Sequence, residues 1–351
     1  MTGPTDQTSP PDQTSPQDRP PTSSEPPGQP RRLGTSTFTI EGRSAPGLFV
    51  LGWLATLIGL GAILVAVMSG TGGAGPILLV IGLLVLAVGL VAGAGGQAIE
   101  RRARGDRAYT GPSPFLVFAA GIPITGLVGI ALGTVLSAVG IPVDGPPARL
   151  AAVAIQALIY IGLIRLLVVD AGGLSWSAMG VTRPTSAGLQ GFGIGVAWAL
   201  PVFAATLAVV AVVTVFVRAQ AESPLPPAGE PGGFALNLLA GVIVAPISEE
   251  IMFRAFATTA WIADMGVARA VVRGAIFFAA VHIIGLTGVE AGQATAAAFV
   301  AFVARIPVAL ALGWLFARTR TIWTPLGLHA AFNGILLVLA ELATRFGVAP
   351  A

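Results

Sequence analysis

The chain has 351 residues, of which 54% are hydrophobic and only 10% are charged. Its mean hydropathy of +0.84 excludes an ordinary soluble globular domain and indicates a polytopic helical membrane protein. The absence of cysteine excludes disulfides, thiolate metal sites and a cysteine nucleophile. The net charge of +3 rests on arginine alone, and the high content of Ala, Gly, Val and Arg suggests a GC-rich bacterial genome.

Residues 1–46 form a polar, proline-rich segment in which the six-residue units 6–11 and 12–17 are similar to each other. Such a composition cannot bury enough apolar surface to offset the entropy lost on ordering. We therefore predict a disordered tail that acts as a solvated spacer. The segment also lacks the apolar stretch of a signal peptide.

Nine apolar segments follow, each long enough to cross a hydrocarbon core of about 30 Å at about 1.5 Å per helical residue. Glycine and other small residues run through most of them, which permits close helix packing in lipid. One weak segment could be re-entrant. We therefore predict an all-α, polytopic transmembrane bundle of eight or nine spans. The segments lie near 47–68, 74–97, 114–139, 149–170, 188–217, 233–261, 268–287, 292–317 and 323–343.

The stretch 218–232, rich in Pro, Gly and Glu, divides these segments into two blocks. The first block, 47–217, would contain five transmembrane helices. The second block, 233–343, would contain four helices and all the residues with candidate chemistry. In the eighth apolar segment of the chain, 292–317, Arg305 precedes Pro307 by two residues and matches no motif. It could mark a kinked, polar-lined path.

Arginine placement predicts the orientation of the bundle. Arginines precede the first segment and recur in the even-numbered connections, most densely at Arg101, Arg102, Arg104 and Arg107. Basic connections stay on the cytoplasmic side of a membrane. The sequence therefore predicts a cytoplasmic N-terminus.

Two adjacent glutamates and an arginine interrupt the sixth apolar segment. Glu250 and Arg254 are four residues apart, so they share a helix face and can neutralise each other. Glu249 points about 100° away and has no charged partner in its own segment. Because ionisable residues are costly inside a membrane, the unpaired Glu249 is a candidate functional residue, whereas the Glu250–Arg254 pair could simply fix packing.

Both histidines of the chain lie in later apolar segments. Phe278 precedes His282 by four residues, and His329 precedes Asn333 by the same spacing, so each pair presents one helix face. From the predicted segment ends, Glu249, His282 and the His329–Asn333 pair lie at depths of about 18, 20 and 10–15 Å. These depths overlap, so a pocket between the sixth, seventh and ninth segments is expected, open toward the cytoplasm.

The succession Glu-Glu-x-x-x-Arg, Phe-x-x-x-His and His-x-x-x-Asn on successive apolar segments resembles the CPBP family of membrane proteins. This family comprises the CAAX proteases and bacteriocin-processing proteins, also called Abi proteins. The resemblance covers about residues 233–343 and implies an intramembrane endopeptidase. It assigns Glu249 as the base that activates water, assisted by His282, and His329 with Asn333 as the oxyanion hole. It gives Glu250 and Arg254 a supporting role and Phe278 a role in shaping the pocket.

A metal site stays an open alternative. Glu249, His282 and His329 could supply three ligands to a divalent metal such as zinc and leave a fourth position open. The spacing differs from His-Glu-x-x-His, and no two of the three lie on one helix turn. The family carries a metalloprotease label, yet the same residues can activate water without a metal.

Two other functions fit parts of the sequence. A proton- or ion-coupled transporter would explain intramembrane Glu, His and Arg side chains but not the order of the three motifs. A non-catalytic member of the same fold would be expected to lack a motif residue, and none is lacking. We therefore expect a protease of the bacterial plasma membrane that acts on membrane-associated proteins or peptides in the lipid bilayer. No nucleic-acid partner is expected.

Overall fold

The computed structural model describes residues 39–70, 72–105, 107–217, 227–284 and 293–347. Within them the chain is entirely helical and contains no strand. From Arg43 onward it forms one compact unit; of the preceding unit, Met1–Gly42, only residues 39–42 are described, and they include a turn. The described residues contain nine helices: α1 (Pro46–Ser69), α2 (Gly75–Arg104), α3 (Pro114–Ala138), α4 (Pro146–Val169), α5 (Ser186–Phe216), α6 (Pro231–Met265), α7 (Val267–Val281), α8 (Ala294–Thr319) and α9 (Trp323–Arg345).

The prediction of an all-α transmembrane bundle is confirmed, with eight helices long and apolar enough to cross a membrane within the described ranges. Most of the predicted tail, residues 1–38, and residues 218–226 of the predicted linker lie outside the described residues. The predicted seventh segment, 268–287, differs from the structure. Its helix α7 has 15 residues and ends at Val281, so it is not among the eight.

The end of α7 has a local cause. The Phe278 carbonyl, which would accept the next α-helical hydrogen bond, contacts the His282 imidazole at 2.7 Å. The following backbone bonds tighten to the spacing of a 3₁₀ turn, from Ile283 N to Ala280 O and from Ile284 N to Val281 O. His282 therefore lies at the tip of a helix of about 22 Å, at the depth where α6 carries its glutamates.

Helix α6 lies at the centre of the larger hydrophobic core. The Phe253 ring of α6 contacts Phe118 of α3 at 5.9 Å between centroids and both Phe277 and Phe278 of α7 at 5.2 Å. The two contacts with Phe277 and Phe278 are edge-to-face, a geometry that adds to the stabilisation from burial. These rings hold α6 and α7 side by side in antiparallel order.

Helices α5 and α9 approach each other closely at two glycines. A Cβ on Gly195 would lie 2.0 Å from the Thr324 carbonyl oxygen, and one on Gly327 would lie 2.1 Å from that of Phe192. Only glycine permits this spacing. The contact, together with a smaller core that includes Leu312, fixes the depth and rotation of α9.

One end of the bundle is rich in arginine. Arg107 pairs with Asp264 at 3.5 Å, and Arg102 donates to the Ala171 carbonyl. These contacts bring the ends of α2, α4 and α6 to the same level. In the same connection Tyr109 is 1% exposed and donates to Pro112 O, and burial raises the pKa of its hydroxyl, which stays neutral at physiological pH.

Candidate active site

A π-helical turn opens the site within α6. Residues Leu239–Val244 follow the π register, in which the Ala245 N–H donates to the Ala240 carbonyl. The next carbonyl, that of Gly241, would require the N–H of Pro246, which proline lacks. The Asn333 side chain of α9 takes this position, because its Nδ2 donates to Gly241 O at 2.8 Å. Pro246 thereby creates the acceptor that orients Asn333.

A second π stretch, Glu250–Thr258, follows directly after Glu249. At its end the Thr258 hydroxyl donates to the carbonyl of Phe253, five residues earlier, at 2.8 Å. All nine residues of this stretch are buried. Such π segments within α-helices occur often at functional sites because they rotate side chains away from the regular helix faces.

Glu250 and Arg254 form a buried ion pair, as the sequence predicts. Arg254 Nη1 lies 3.2 Å from Glu250 Oε1, and the two side chains are 2% and 0% exposed. The guanidinium also lies over the Phe278 ring, 4.2 Å from its centroid. Phe278 therefore contributes a cation–π contact as well as apolar packing.

Glu249 faces both histidines of the chain. Its Oε2 lies 3.7 Å from His282 Nε2 and 3.6 Å from His329 Nε2. These separations exceed a direct hydrogen bond, but two atoms this far apart can both reach one water oxygen. The expected convergence of α6, α7 and α9 is present.

The far nitrogen of each imidazole has a fixed partner. His282 Nδ1 lies 2.7 Å from the Phe278 carbonyl, which can only accept, so Nδ1 carries a hydrogen. His329 Nδ1 lies 2.7 Å from Glu250 Oε1 and donates to that carboxylate. Both Nε2 atoms therefore face Glu249 as acceptors whenever their rings are neutral.

The contact between Glu250 and His329 is absent from the sequence-based prediction, which paired Glu250 with Arg254 alone. The carboxylate in fact bridges Arg254 of its own helix and His329 of α9 through the same oxygen, Oε1. No spacing within one segment signals a contact between residues 79 positions apart. The one signal for this contact in the sequence is that two histidines and two adjacent glutamates occur in the same block of apolar segments.

Several buried polar atoms at the centre of the site make no hydrogen bond to any described residue. They are the Oε2 atoms of Glu249 and Glu250 and both Nη atoms of Arg254. Burying such atoms without a partner costs roughly 1–3 kcal/mol each, and more when they are charged. This chemistry fits a site that binds a polar molecule.

Glu249, His282 and His329 are the candidate ligands of the expected metal. Two imidazole nitrogens and a carboxylate oxygen are suitable zinc ligands by type. Across the described ranges, however, no group of three or more His, Cys, Asp or Glu side chains meets the geometry of a metal site. A metal held by Glu249, His282 and His329 therefore stays an alternative to water activated by these side chains alone.

The structure brings six of the predicted site residues into one connected network. They are Glu249, Glu250, Arg254, Phe278, His282 and His329. Asn333, the seventh, lies one turn along α9 from His329, about 6 Å by helical rise. Ser248, the neighbour of Glu249, donates to Ala245 O at 3.0 Å and takes no part in the network.

A known protein family matches part of the chain. Residues 231–335 match the family described as Type II CAAX prenyl endopeptidase Rce1-like. The matched range begins with α6 and includes all three motifs, so the resemblance to CAAX proteases is confirmed for this segment. Searches of curated proteins and of solved structures found no match to the chain.

Proposed function

We propose, from the match of residues 231–335 to CAAX-type endopeptidases, that this protein is an intramembrane endopeptidase in which Glu249 activates the attacking water. The observation that carries the proposal is the position of one carboxylate oxygen, Glu249 Oε2, between the Nε2 atoms of His282 and His329. A general base must lie within reach of the proton it removes, directly or through one water.

The hydrogen bonds around Glu249 support its role as the base. Because its Nδ1 donates to the Phe278 carbonyl, a neutral His282 presents Nε2 as an acceptor beside Glu249 Oε2. A water bound there donates to Glu249 and to His282, which orients a lone pair toward a substrate carbonyl. Glu249 takes the proton as the oxygen bonds to the carbonyl carbon. The proton then passes to the amine as the carbon–nitrogen bond breaks.

His329 and Asn333 would stabilise the oxyanion. His329 can donate through Nε2 only when its ring is protonated, because Nδ1 already donates to Glu250. Asn333 uses one N–H for Gly241 O and retains a second N–H for the oxyanion. Donors that are held in place before the reaction need no reorganisation during it.

Glu250 and Arg254 act through His329. The Glu250 carboxylate contacts both Arg254 and His329 through Oε1, and it would stabilise the protonated imidazole that donates to the oxyanion. In this scheme Glu250 and Arg254 position His329 and do not touch the substrate.

A divalent metal such as zinc is the alternative source of activated water. Bound to Glu249, His282 and His329, it would lower the pKa of a bound water. The scheme above uses the chain's own side chains and routes no step through a metal. The alternative is tested with a chelator.

The substrate would be a membrane-associated protein or peptide that reaches the pocket from the arginine-rich end. The connection through Arg102, Arg107 and Asp264 marks that end, and basic connections stay in the cytoplasm. We therefore propose a cytoplasmic N-terminus, in a bacterial plasma membrane as the composition suggests. The CAAX-type substrate is a family-level expectation.

The test is proteolysis in reconstituted vesicles against a panel of membrane-anchored peptides. Glu249→Gln removes the base with almost no change in shape, and we expect cleavage to fall by about a hundredfold to ten-thousandfold. Cleavage by this variant at the wild-type rate would overturn the assignment. Loss of wild-type cleavage with a chelator, and its return with zinc alone, would assign the water to a metal. A proton flux without cleavage would favour a transporter.

A further inference from the structure

Arg305 lies on the inward face of α8, outside the three motifs. The residues one turn away on either side, Ala301 and Val308, are 2% and 5% exposed, and Leu312 continues the same buried line. A charged side chain on this line is directed toward the bundle interior. An arginine in a membrane-length helix is by default a functional candidate whose partner must be found.

The helix packing sets the depth of Arg305. Helix α8 contacts α7 where Gly313 approaches Val271; a Cβ on Gly313 would lie 3.3 Å from Val271 Cγ1. Arg305 lies about 12 Å from Gly313 along α8, and His282 lies about 16 Å from Val271 along the antiparallel α7. Arg305 is therefore nearly level with His282 and Glu249, and its charge interacts with that of Glu249.

The guanidinium of Arg305 has few hydrogen-bond partners among the described residues. Its Nη1 donates to Ala301 O at 2.7 Å, a bond within its own helix turn. Within the described ranges, no carboxylate lies within ion-pair distance of Arg305; the Glu250–Arg254 and Glu249–histidine contacts involve other groups. A guanidinium has five N–H donors in a planar fork that matches a carboxylate. Most of this fork remains available.

We propose that Arg305 binds a carboxylate of the substrate next to the reacting bond. This inference rests on the proposed function and deepens it by naming a chemical class of substrate. The carboxylate would be the missing counter-ion of a half-buried cation at the level of the catalytic water. Binding to Arg305 would also hold the substrate carboxylate away from Glu249, because the negative charge of Glu249 repels that carboxylate. Arg305 is thus a binding residue that sets specificity.

Two parts of a peptide can supply the carboxylate: a free C-terminus or an acidic side chain. The probes are four forms of one palmitoylated, fluorescent Ala/Leu peptide. One pair has a free or an amidated C-terminus, and the other pair is amidated and carries Asp or Asn at a central position. Binding is measured by anisotropy to Glu249→Gln protein in phosphatidylcholine nanodiscs, so the result does not depend on cleavage.

We expect one carboxylate peptide to bind about tenfold to a hundredfold more tightly than its amide partner, as charged hydrogen bonds typically allow. The pair that discriminates identifies the source of the carboxylate. Adding Arg305→Gln should reduce the ratio to within about twofold, since a bidentate charged contact is lost. Arg318→Gln removes the same charge from the exposed end of the same helix and should leave the ratio unchanged.

Equal or undetectable binding of both pairs would overturn the proposal, as would an unchanged ratio in Arg305→Gln. If that variant fails to fold, Arg305→Lys decides: it keeps the charge but loses the fork, so the ratio should fall by at least about threefold. An unchanged ratio in the lysine variant would contradict the proposal. If Glu249→Gln protein binds one carboxylate peptide selectively but the wild type cleaves no peptide, Arg305 stays a binding residue and the proposed function is rejected.

Discussion

Helices α1 and α2 pack along their length through small residues, whereas α6, α7 and α9 meet through charge and hydrogen bonds. The buried residues of α1 are glycines and alanines. A Cβ on Gly59 would lie 2.5 Å from Leu86 N. In the second region, Glu250, Arg254 and His329 are among the most buried side chains of the described chain.

The difference shows that two parts of one bundle are held together by different forces. Apolar surfaces gain little by leaving lipid, so α1 and α2 depend on close backbone approach for their association. Buried charges cost free energy unless every member of the network is paired. Under the proposed function, substitutions should therefore act on stability alone in the first region, and on both stability and catalysis in the second.

The largest effect on stability is expected for Arg254→Met. It removes the cation that neutralises Glu250, and breaking a buried ion pair costs about 3–5 kcal/mol. Thermal unfolding in detergent measures the loss. Arg165→Met is the matched control, because its pair with Asp170 is mostly exposed and should contribute at most about 1 kcal/mol. Equal losses in the two variants would contradict a special role for the buried pair.

A smaller effect, on catalysis, is expected for Asn333→Ala. Loss of one oxyanion donor reduces kcat by about a hundredfold to a thousandfold, or about 2.7–4 kcal/mol. Steady-state cleavage of the best peptide of the panel checks this, with kcat and KM separated. Gln156→Ala removes an amide from an exposed face of α4 and should cleave normally. A kcat within threefold of wild type would remove Asn333 from the oxyanion hole.

The smallest effect is expected in the first region. Gly59→Ala forces the α1–α2 contact apart and should reduce stability by about 1–3 kcal/mol. Gly61→Ala adds the same methyl group where nothing lies within 4 Å and should be neutral or slightly stabilising. Cleavage per folded molecule should stay at the wild-type level in both. A kcat change in Gly59→Ala would show that the two regions are coupled.

Much of this architecture is visible in the sequence because hydrophobic segments and their lengths are properties of the chain itself. The Glu250–Arg254 pair follows from the i, i+4 spacing, and the depths of Glu249 and His282 follow from helical rise. The early end of α7 was missed because a continuous apolar run does not reveal where a side chain such as His282 takes a backbone carbonyl.

The π turns of α6 were also missed, because hydrophobic periodicity does not distinguish a π turn within an α-helix. Pro246 was a usable signal: a proline inside a helix frees an upstream carbonyl, here that of Gly241. The bond between Glu250 and His329 could not be predicted, since it depends on how α9 rotates against α6. That rotation is set by the close approach at Gly195 and Gly327.

The most direct test of the central claim is the single-turnover cleavage rate of Glu249→Gln, measured beside its unfolding temperature in the same vesicles. Glu249 makes no hydrogen bond through its buried Oε2 within the described structure, so the amide should leave stability nearly unchanged. We expect a rate at least about a hundredfold below wild type in a fully folded protein. A folded variant that cleaves at the wild-type rate would contradict it.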